Sequence, residues 1–455
     1  MNLMPDNSVA GVALRMLQET PLCDRCLGRL FAWLGTGTTN QERGRSIKLT
    51  LLMDADRALK SGEKDESRLV VSILASNGMY GPARLVAEGN GIEYETRDKC
   101  YLCTLDDSSP FDEIPKIAED IIQGLDSLEF ETFLVGSIPS PSLVERQDEL
   151  NARYSLSSAE TLKAHFNREL GRYLQRALDR EVDFEGPDVV FIYDMEQRSV
   201  KTQINPVFIA GRYRKLKRGI PQSRWDCKAC GGRGCKECHG TGRRYQDSIS
   251  ECIGLPSQEM LGGSKFKFHA AGREDVDVLM LGDGRPFVVE VSEPRVRRPD
   301  LVRLAKKINR GARKKVEVIG LELTSRKKLQ QLKAGASSNI KEYHAIVETG
   351  RDLTSKDIVM LQERFRDIDI EQRTPHRVSH RRSDLVRIKH VYEIRAKRKK
   401  RNRLELFFRV QGGTYIKELV SGDEGRTSPS VAEVLGTSCV CTTLNVTAIY
   451  GEETT

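Results

Sequence analysis

Residues 271–291 read AGREDVDVLMLGDGRPFVVEV. An apolar run, VDVLML, meets Gly282-Asp283-Gly284 and is followed by a second apolar run, PFVVEV, which predicts a β-hairpin with good turn chemistry. Around it, KFKFHAAG (265–272), VEVIGLEL (316–323), EYHAIVET (342–349), DLVRIKHVYEIRAK (384–397), RLELFFRV (403–410) and TLNVTAIY (443–450) read as further strands. Helices are expected near 300–309 and 354–366. Many of these strands alternate and few are long apolar runs. That pattern predicts a mixed, largely antiparallel sheet flanked by helices. At the entrance to the quoted stretch stand Arg273, Glu274, Asp275 and Asp277, and period-two alternation puts Arg273, Asp275 and Asp277 on one face. An arginine beside an aspartate keeps the carboxylate ionised, which suits a nucleophile; an ordinary strand-end ion pair is the structural alternative.

The N-terminal half has a different texture. Residues 9–18, 43–60 and 111–124 show helical apolar spacing, whereas FETFLVGSIP (130–139) is strand-like. Residues 157–178 open on Ser157-x-x-Glu160, a capping-box signature, with Leu162, Phe166, Leu170 and Leu174 at helical intervals. PDVVFIYD and VKTQINPVFIAG then read as two strands. These elements predict a compact α/β module of the kind that grips RNA ends. GRYRKLKRGIPQ (211–222) reads as a basic linker. The expected division is therefore 1–210, 211–250 and 251–455.

The cysteines sharpen this. Eight of the eleven lie in CxxC pairs: Cys23/Cys26, Cys100/Cys103, Cys227/Cys230 and Cys235/Cys238. Two thiolates two residues apart bind one tetrahedral ion from a tight knuckle, and two knuckles complete a closed structural zinc site. Gly28 suits the first knuckle's turn. The central CKACGGRGCKECHGTG contains two tandem CxxCxGxG units, similar to the zinc-binding region of DnaJ-type chaperones.

Charge is distributed unevenly. The 455 residues carry a net +8, but residues 295–328 hold 13 Lys+Arg against 3 Asp+Glu, and residues 373–403 hold 13 against 2. The remainder is acidic, so the basic segments point to a polyanion such as nucleic acid. A hydrophobic fraction of 38% and a charged fraction of 30% exclude wholesale disorder and collagen-like repeats. No apolar run of membrane-spanning length and no secretory leader are seen, so no membrane association and a cytoplasmic location are expected. Rossmann and P-loop fingerprints are absent, and no organic cofactor is expected.

Three further segments carry candidate chemistry. VQGGTYIKELVSGDEGRTSPSV (410–431) offers Tyr415 as a stacking ring and Lys417 as a cation; KEYHAIVETG (341–350) places Tyr343 on a strand. QRTPHRVSHRRSDLVR (372–387) interleaves Arg and His and reads as a phosphate clamp, more loop than helix.

GREDVDV resembles the Gly-Arg-x-Asp motif of pseudouridine synthases, and GTYIKEL is similar to their Gly-Thr-Tyr-Ile-Arg/Lys motif. With CDRCLGRLF, ERGRSIK, GRYRKLKRGIPQSRWDC, RTPHRVSHRRSDLVR and GGTYIKELVSGDEGRTSPSV, the chain most closely resembles the archaeal-type tRNA pseudouridine synthase ("Pus ten") family over nearly its full length. The resemblance implies an α+β protein with a zinc-bearing α/β module, a THUMP-like RNA-binding domain and a C-terminal pseudouridine-synthase fold. It implies isomerisation of uridines 54 and 55 in the TΨC loop of tRNA, without an obligate protein partner. It makes Asp275 the catalytic aspartate, Arg273 its partner, Tyr343 and Tyr415 substrate-binding, and Lys417 the basic residue of the last motif. It also implies one zinc at Cys23, Cys26, Cys100 and Cys103; a second at Cys227, Cys230, Cys235 and Cys238 follows from spacing. Asp275 can attack C1′ or deprotonate C2′, and Tyr343 can hold the detached uracil and take part in the late proton removal at C5. Lys417 paired with Asp275 would keep that carboxylate charged. The alternative from another class is a non-catalytic zinc-dependent RNA-binding or chaperone-like protein, which leaves GREDVDV and GGTYIKEL unexplained.

Overall fold

The computed structural model describes residues 7–62, 65–335 and 339–450. The chain divides into two units, Met1–Asn205 and Pro206–Thr455. The division falls where Pro206 interrupts VKTQINPVFIAG, so that stretch is two strands in two different sheets. Residues 211–215 are not a linker. They lie inside a strand of the second unit, which also holds the central four-cysteine segment, so the expected boundary at 210/211 moves to 205/206.

The first unit begins with helices Val9–Glu19, Asp24–Leu30, Asn40–Lys60, Asp65–Ala75, Gly81–Gly89 and Ile114–Gln123. Gly28 lies inside a helix rather than in a knuckle turn. A Cβ there would sit 1.8 Å from the carbonyl oxygen of Asn40, so the glycine lets helices Asp24–Leu30 and Asn40–Lys60 touch backbone to backbone. Strands β1 (Thr132–Ile138), β2 (Glu181–Val182), β3 (Val189–Asp194) and β4 (Ser199–Ile204) form a sheet in the order β2-β1-β3-β4. β1 runs parallel to β2 and β3, and β4 is antiparallel to β3. Helix Leu162–Leu178 buries Phe166, Leu170 and Leu174, and the Phe166 ring stacks on Tyr193 of β3 at 5.4 Å. Its N-cap is Thr161, whose hydroxyl accepts from the Ala164 N–H, not Ser157. Glu160 is drawn away from a capping role by Arg168 and by Asn40, whose amide donates to it at 2.9 Å.

The second unit contains β5 (Val207–Lys215), β6 (Lys265–Ala270), β7 (Leu279–Ser292), β8 (Val316–Thr324), β9 (Ile340–Thr349), β10 (Ile368–Arg373), β11 (Val386–Lys400), β12 (Arg403–Gln411), β13 (Thr427–Ser428) and β14 (Cys439–Tyr450). Among the described residues they form one ten-stranded sheet, ordered β13-β10-β11-β12-β9-β14-β7-β5-β8 with β6 also on β7. Only the β14–β7 pairing is parallel among those described, so the sheet is mixed and largely antiparallel. Helices Ile249–Leu261, Leu301–Gly311, Arg326–Ala334 and Ser355–Arg364 flank it, and Leu304, Ile308, Val289, Val291, Leu406 and Phe408 share its core. Each such buried side chain contributes about 1.5–3 kcal/mol.

The expected hairpin at Gly282–Gly284 does not form, because β7 runs straight through it. A Cβ at Gly282 would lie 1.8 Å from the Thr447 carbonyl oxygen of β14, and φ there is +57°. The glycine is thus a point of close strand approach. There β7 passes from its short parallel pairing with β14 at Leu279–Met280 to its long antiparallel pairing with β5 and β6.

Candidate active site

Asp275 does not lie on a strand edge. Residues 272–278 form an irregular loop leading into β7. The loop is held through its backbone. Lys215, fully buried at the end of β5, donates from Nζ to the carbonyls of Asp275 (3.1 Å) and Val276 (2.8 Å). The Gly219 N–H reaches the Val276 carbonyl at 2.9 Å, and Arg218 bonds the Asp277 and Leu444 carbonyls. Buried backbone oxygens need such donors, and here the donors also fix which way successive side chains point.

Glu274 points inward. It lies against Arg285, with Nε 2.9 Å from Oε2, and both side chains are at most 2% exposed. The Nε–H is not aligned for a hydrogen bond, so the contact is an ion pair. The Tyr213 hydroxyl, buried beside it, donates to the Glu274 carboxylate at 3.0 Å, and Gln222 donates to that hydroxyl and to the Gly272 carbonyl. Burial, then the Glu274 charge, pushes the Tyr213 phenol well up.

Asp275 points outward into a cleft of about 510 Å³, which Arg273, Tyr343, Tyr415 and Lys417 also line. All five residues singled out from the sequence therefore meet at one place. Their pairing differs from expectation. Arg273 does not partner Asp275; its guanidinium lies over the Trp225 ring at 5.4 Å. The partner is Arg377, whose Nη1 lies 3.1 Å from Oδ1 and 3.0 Å from Oδ2. The Nε–H of Arg377 donates to the buried Glu418 at 2.5 Å. Burial pulls the Arg377 guanidinium down, but Glu418 and Asp275 more than offset this and it stays charged. Lys417 is 3.6 Å from Asp275 and closer, at 2.7 Å, to Asp277. Partial burial pushes the Asp277 carboxyl up; the Lys417 ammonium reverses this and holds it below its ordinary value.

The two tyrosines are fixed differently. Tyr415 caps helix Ile416–Ser421, and the fully buried Gln372 of β10 clamps its backbone: Oε1 accepts from the Tyr415 N–H at 2.8 Å, and Nε2 donates to its carbonyl at 3.0 Å. Its hydroxyl accepts from Arg382 at 2.7 Å. Tyr343 sits on β9 between Phe408 of β12 and Val446 of β14. Burial pushes its phenol up to about 12 against the opposing pull of Arg285.

Three further residues at the cleft were given no role from the sequence. Arg377 belongs to the basic stretch read as a phosphate clamp. That segment folds as a 3-10 turn, His376–Arg381, which returns its arginine to the carboxylate. Lys341 is 5% exposed, lines the same cleft and is pulled by burial to about 8. Its spacing two residues before Tyr343 on one strand is a period-two signal present in the sequence. Glu274 could not be told from its acidic neighbours, because only burial distinguishes it.

The cysteines form two tetrads, Cys23/Cys26/Cys100/Cys103 in the first unit and Cys227/Cys230/Cys235/Cys238 in the second, with all sulfurs of each within 4.8 Å of one another. Cys23 and Cys103 sulfurs are 3.8 Å apart, Cys227 and Cys235 are 3.9 Å apart, and Cys235 and Cys238 are 3.7 Å apart. Four thiolates at about 2.3 Å from a tetrahedral ion stand about 3.8 Å from each other. Both tetrads fit a metal ion on that geometry. Backbone N–H groups also point at the sulfurs, from Cys23 to Cys100 (3.3 Å), Gly234 to Cys230 (3.2 Å) and Gly242 to Cys238 (3.1 Å), as thiolates require.

Comparison with known proteins gives consistent matches. Residues 208–450 match the family model "Pus10, C-terminal", and residues 117–194 match "Pus10 THUMP domain, archaeal". The chain is 39% identical to the tRNA pseudouridine synthase Pus10 of Methanothrix thermoacetophila over 98% of this chain and 96% of that protein. It is also 39% identical to that of Methanocaldococcus jannaschii over 96% of this chain and 93% of that protein. The Pyrococcus furiosus protein is 36% identical, covering 97% of each. Among solved structures, a Cbf5–Nop10–Gar1 complex matches at 18% identity over 44% of this chain and 45% of that chain with a TM-score of 0.28, a likeness too slight to bear on the fold. A small THUMP-bearing unit and a large mixed sheet with its aspartate cleft thus coincide with matches that run nearly end to end, and the chain belongs to the Pus10 family of pseudouridine synthases.

Proposed function

We propose that the cleft isomerises uridine to pseudouridine at positions 54 and 55 of the TΨC loop of tRNA, with Asp275 as the nucleophile. The observation that carries this reading is the Asp275 carboxylate, gripped by Arg377 at both oxygens and facing a cleft walled by Tyr343 and Tyr415. The target base leaves its stack and enters between the rings. An Asp275 oxygen bonds to C1′ as the C1′–N1 bond breaks, and the electron pair leaves with the uracil. Tyr343 holds the detached ring while it turns. C5 then bonds to C1′ as the Asp275 oxygen leaves with the bonding pair; the freed carboxylate accepts the C5 proton, N1 takes up a proton in its place, and the carboxylate releases its own to solvent. The Tyr343 hydroxyl, in the same cleft, can take part in this proton removal. Arg377, helped by Lys417, keeps Asp275 anionic before attack and as it leaves. Arg382 and the other cations of the 373–403 segment meet phosphates.

In the same reading both tetrads hold zinc as structural ions, since four thiolates leave no open position for a water or substrate. A tRNA-modifying enzyme would act in the cytoplasm, and among the described residues no helix is long and apolar enough to cross a membrane. A non-catalytic zinc protein would have no use for the Arg377–Asp275 pair. The test is to map pseudouridine on a single unmodified tRNA transcript after incubation with the purified protein. Formation at 54 and 55 is expected, and formation elsewhere or nowhere overturns the proposal. Elemental analysis of the same sample should give two zinc ions per chain; one or none removes the second site.

A further inference from the structure

Beside the catalytic cleft, within the same unit, a second hollow of about 580 Å³ is lined by Trp225, Asp226, Lys228, Arg244, Tyr245 and His380. Trp225 borders both hollows. We propose that Trp225, Arg244 and Tyr245 form a stacking site for single-stranded RNA flanking the target nucleotide. The four-cysteine knuckle would then be part of the RNA-binding surface as well as a structural staple. This proposal rests on the isomerase reading above.

Three observations converge on it. The first is the arrangement of rings and cations. The Arg273 guanidinium lies over Trp225 at 5.4 Å, and Arg244 lies over Trp225 at 5.3 Å and over Tyr245 at 5.6 Å. Trp225 and Tyr245 meet edge to face at 5.5 Å. Two rings and two guanidinium groups therefore cluster at the edge of the cleft, the composition that binds single strands without reading their sequence.

The second is charge. Residues 223–246 hold six Lys+Arg against two Asp+Glu. Arg224 is paired with Asp226 at 2.9 Å and Arg243 with Glu251 at 3.0 Å. Among the described residues no carboxylate pairs with Arg244 or Arg273, which leaves both guanidinium groups for phosphate. His380 enters the hollow from the turn that carries Arg377 to the cleft, so one turn borders both.

The third is rigidity. The Arg244 N–H donates to the Trp225 carbonyl at 2.9 Å and the Cys227 N–H donates to the Gly242 carbonyl at 2.8 Å, which pairs Asp226 with Arg243 in an antiparallel backbone bridge. The rings are thus held in place before RNA arrives, which lowers the entropy cost of binding. A flipped-out uridine leaves its neighbours short of a stacking partner. A ring platform one step from the cleft supplies that partner.

The test uses full-length protein and an unmodified tRNA transcript. Trp33→Phe leaves Trp225 as the only tryptophan, and its fluorescence should be quenched as tRNA is added. The double change Arg244→Ala, Tyr245→Ala should raise KM and the tRNA Kd about tenfold, within the range for losing one base–aromatic stack, with kcat retained. Tyr245→Phe, which keeps the ring, should restore both. Melting temperature and bound metal report whether the variants fold; if the double variant unfolds, Arg244→Gln alone carries the comparison. Unchanged KM and Kd in a folded variant overturn the stacking site. A wild-type protein that binds tRNA but forms no pseudouridine overturns the isomerase reading instead, and the variants' Kd then decides the stacking site by itself.

Discussion

Changing Glu274 to Gln strikes the buried ion pair beside Asp275, at the inner wall of the cleft. Glu274 and Arg285 are an ion pair at 2.9 Å with side chains 1% and 2% exposed, so neither charge has water to turn to. Glutamine keeps the size and one oxygen for the Tyr213 hydroxyl, but it leaves the Arg285 cation buried, with the Ala271 carbonyl at 2.6 Å as its acceptor among the described residues. Removing one member of a buried pair costs about 3–5 kcal/mol. The retained Tyr213 bond places the expected loss near the lower end, about 3 kcal/mol. For a unit of roughly 250 residues that is a fall in Tm of about 6–12 °C. The double change Glu274→Leu, Arg285→Met removes both charges and should recover at least half of the loss, the rest remaining because Tyr213 loses its acceptor. Urea and thermal unfolding of wild type, Glu274→Leu, Arg285→Met and the double variant complete the cycle, with Glu274→Gln measured beside them. A loss below about 1 kcal/mol for Glu274→Gln, or a double variant as unstable as the two singles added, would refute the buried-pair argument.

Arg377→Ala should lower kcat about a hundredfold, the scale for losing one charged donor from an active-site oxyanion, because among the described residues Lys417 at 3.6 Å is the ion-pair partner left to Asp275; single-turnover kinetics showing less than about a threefold loss would count against it. Lys215 and Lys341 are pulled by burial to about 8 from an ordinary 10.5, so the folded protein gives up these protons before the unfolded chain does. Their contribution to stability should therefore rise from about pH 8 toward pH 10. Denaturation at pH 7, 8.5 and 10 checks this, and Lys341→Met should reduce the slope.

Much of the site was legible because its residues fall in contiguous motifs. GREDVDV and GGTYIKEL carry Arg273, Asp275, Tyr415 and Lys417 as local patterns, and the strands around them alternate clearly. What the sequence hid was pairing across long separations. Arg377 is 102 residues from Asp275, and nothing in HRVSHRR distinguishes it from the other arginines of that stretch. Gly282-Asp283-Gly284 carries good turn chemistry, but glycine serves close backbone approach equally well, and only the presence of β14 and β5 on either side decides between them. Gly28 was misread for the same reason. The cysteine tetrads were the clearest signal of all, since thiol spacing is a direct geometric constraint on what a chain can hold.

Asp275→Asn on an unmodified tRNA transcript puts the chemistry on a single atom pair. Asparagine keeps the shape and one acceptor toward Arg377 but removes the nucleophilic charge. Pseudouridine formation should fall below detection while tRNA binding and melting temperature stay at wild-type values. Pseudouridine formed by Asp275→Asn at the wild-type rate would contradict the assignment of Asp275 as the group that breaks the glycosidic bond.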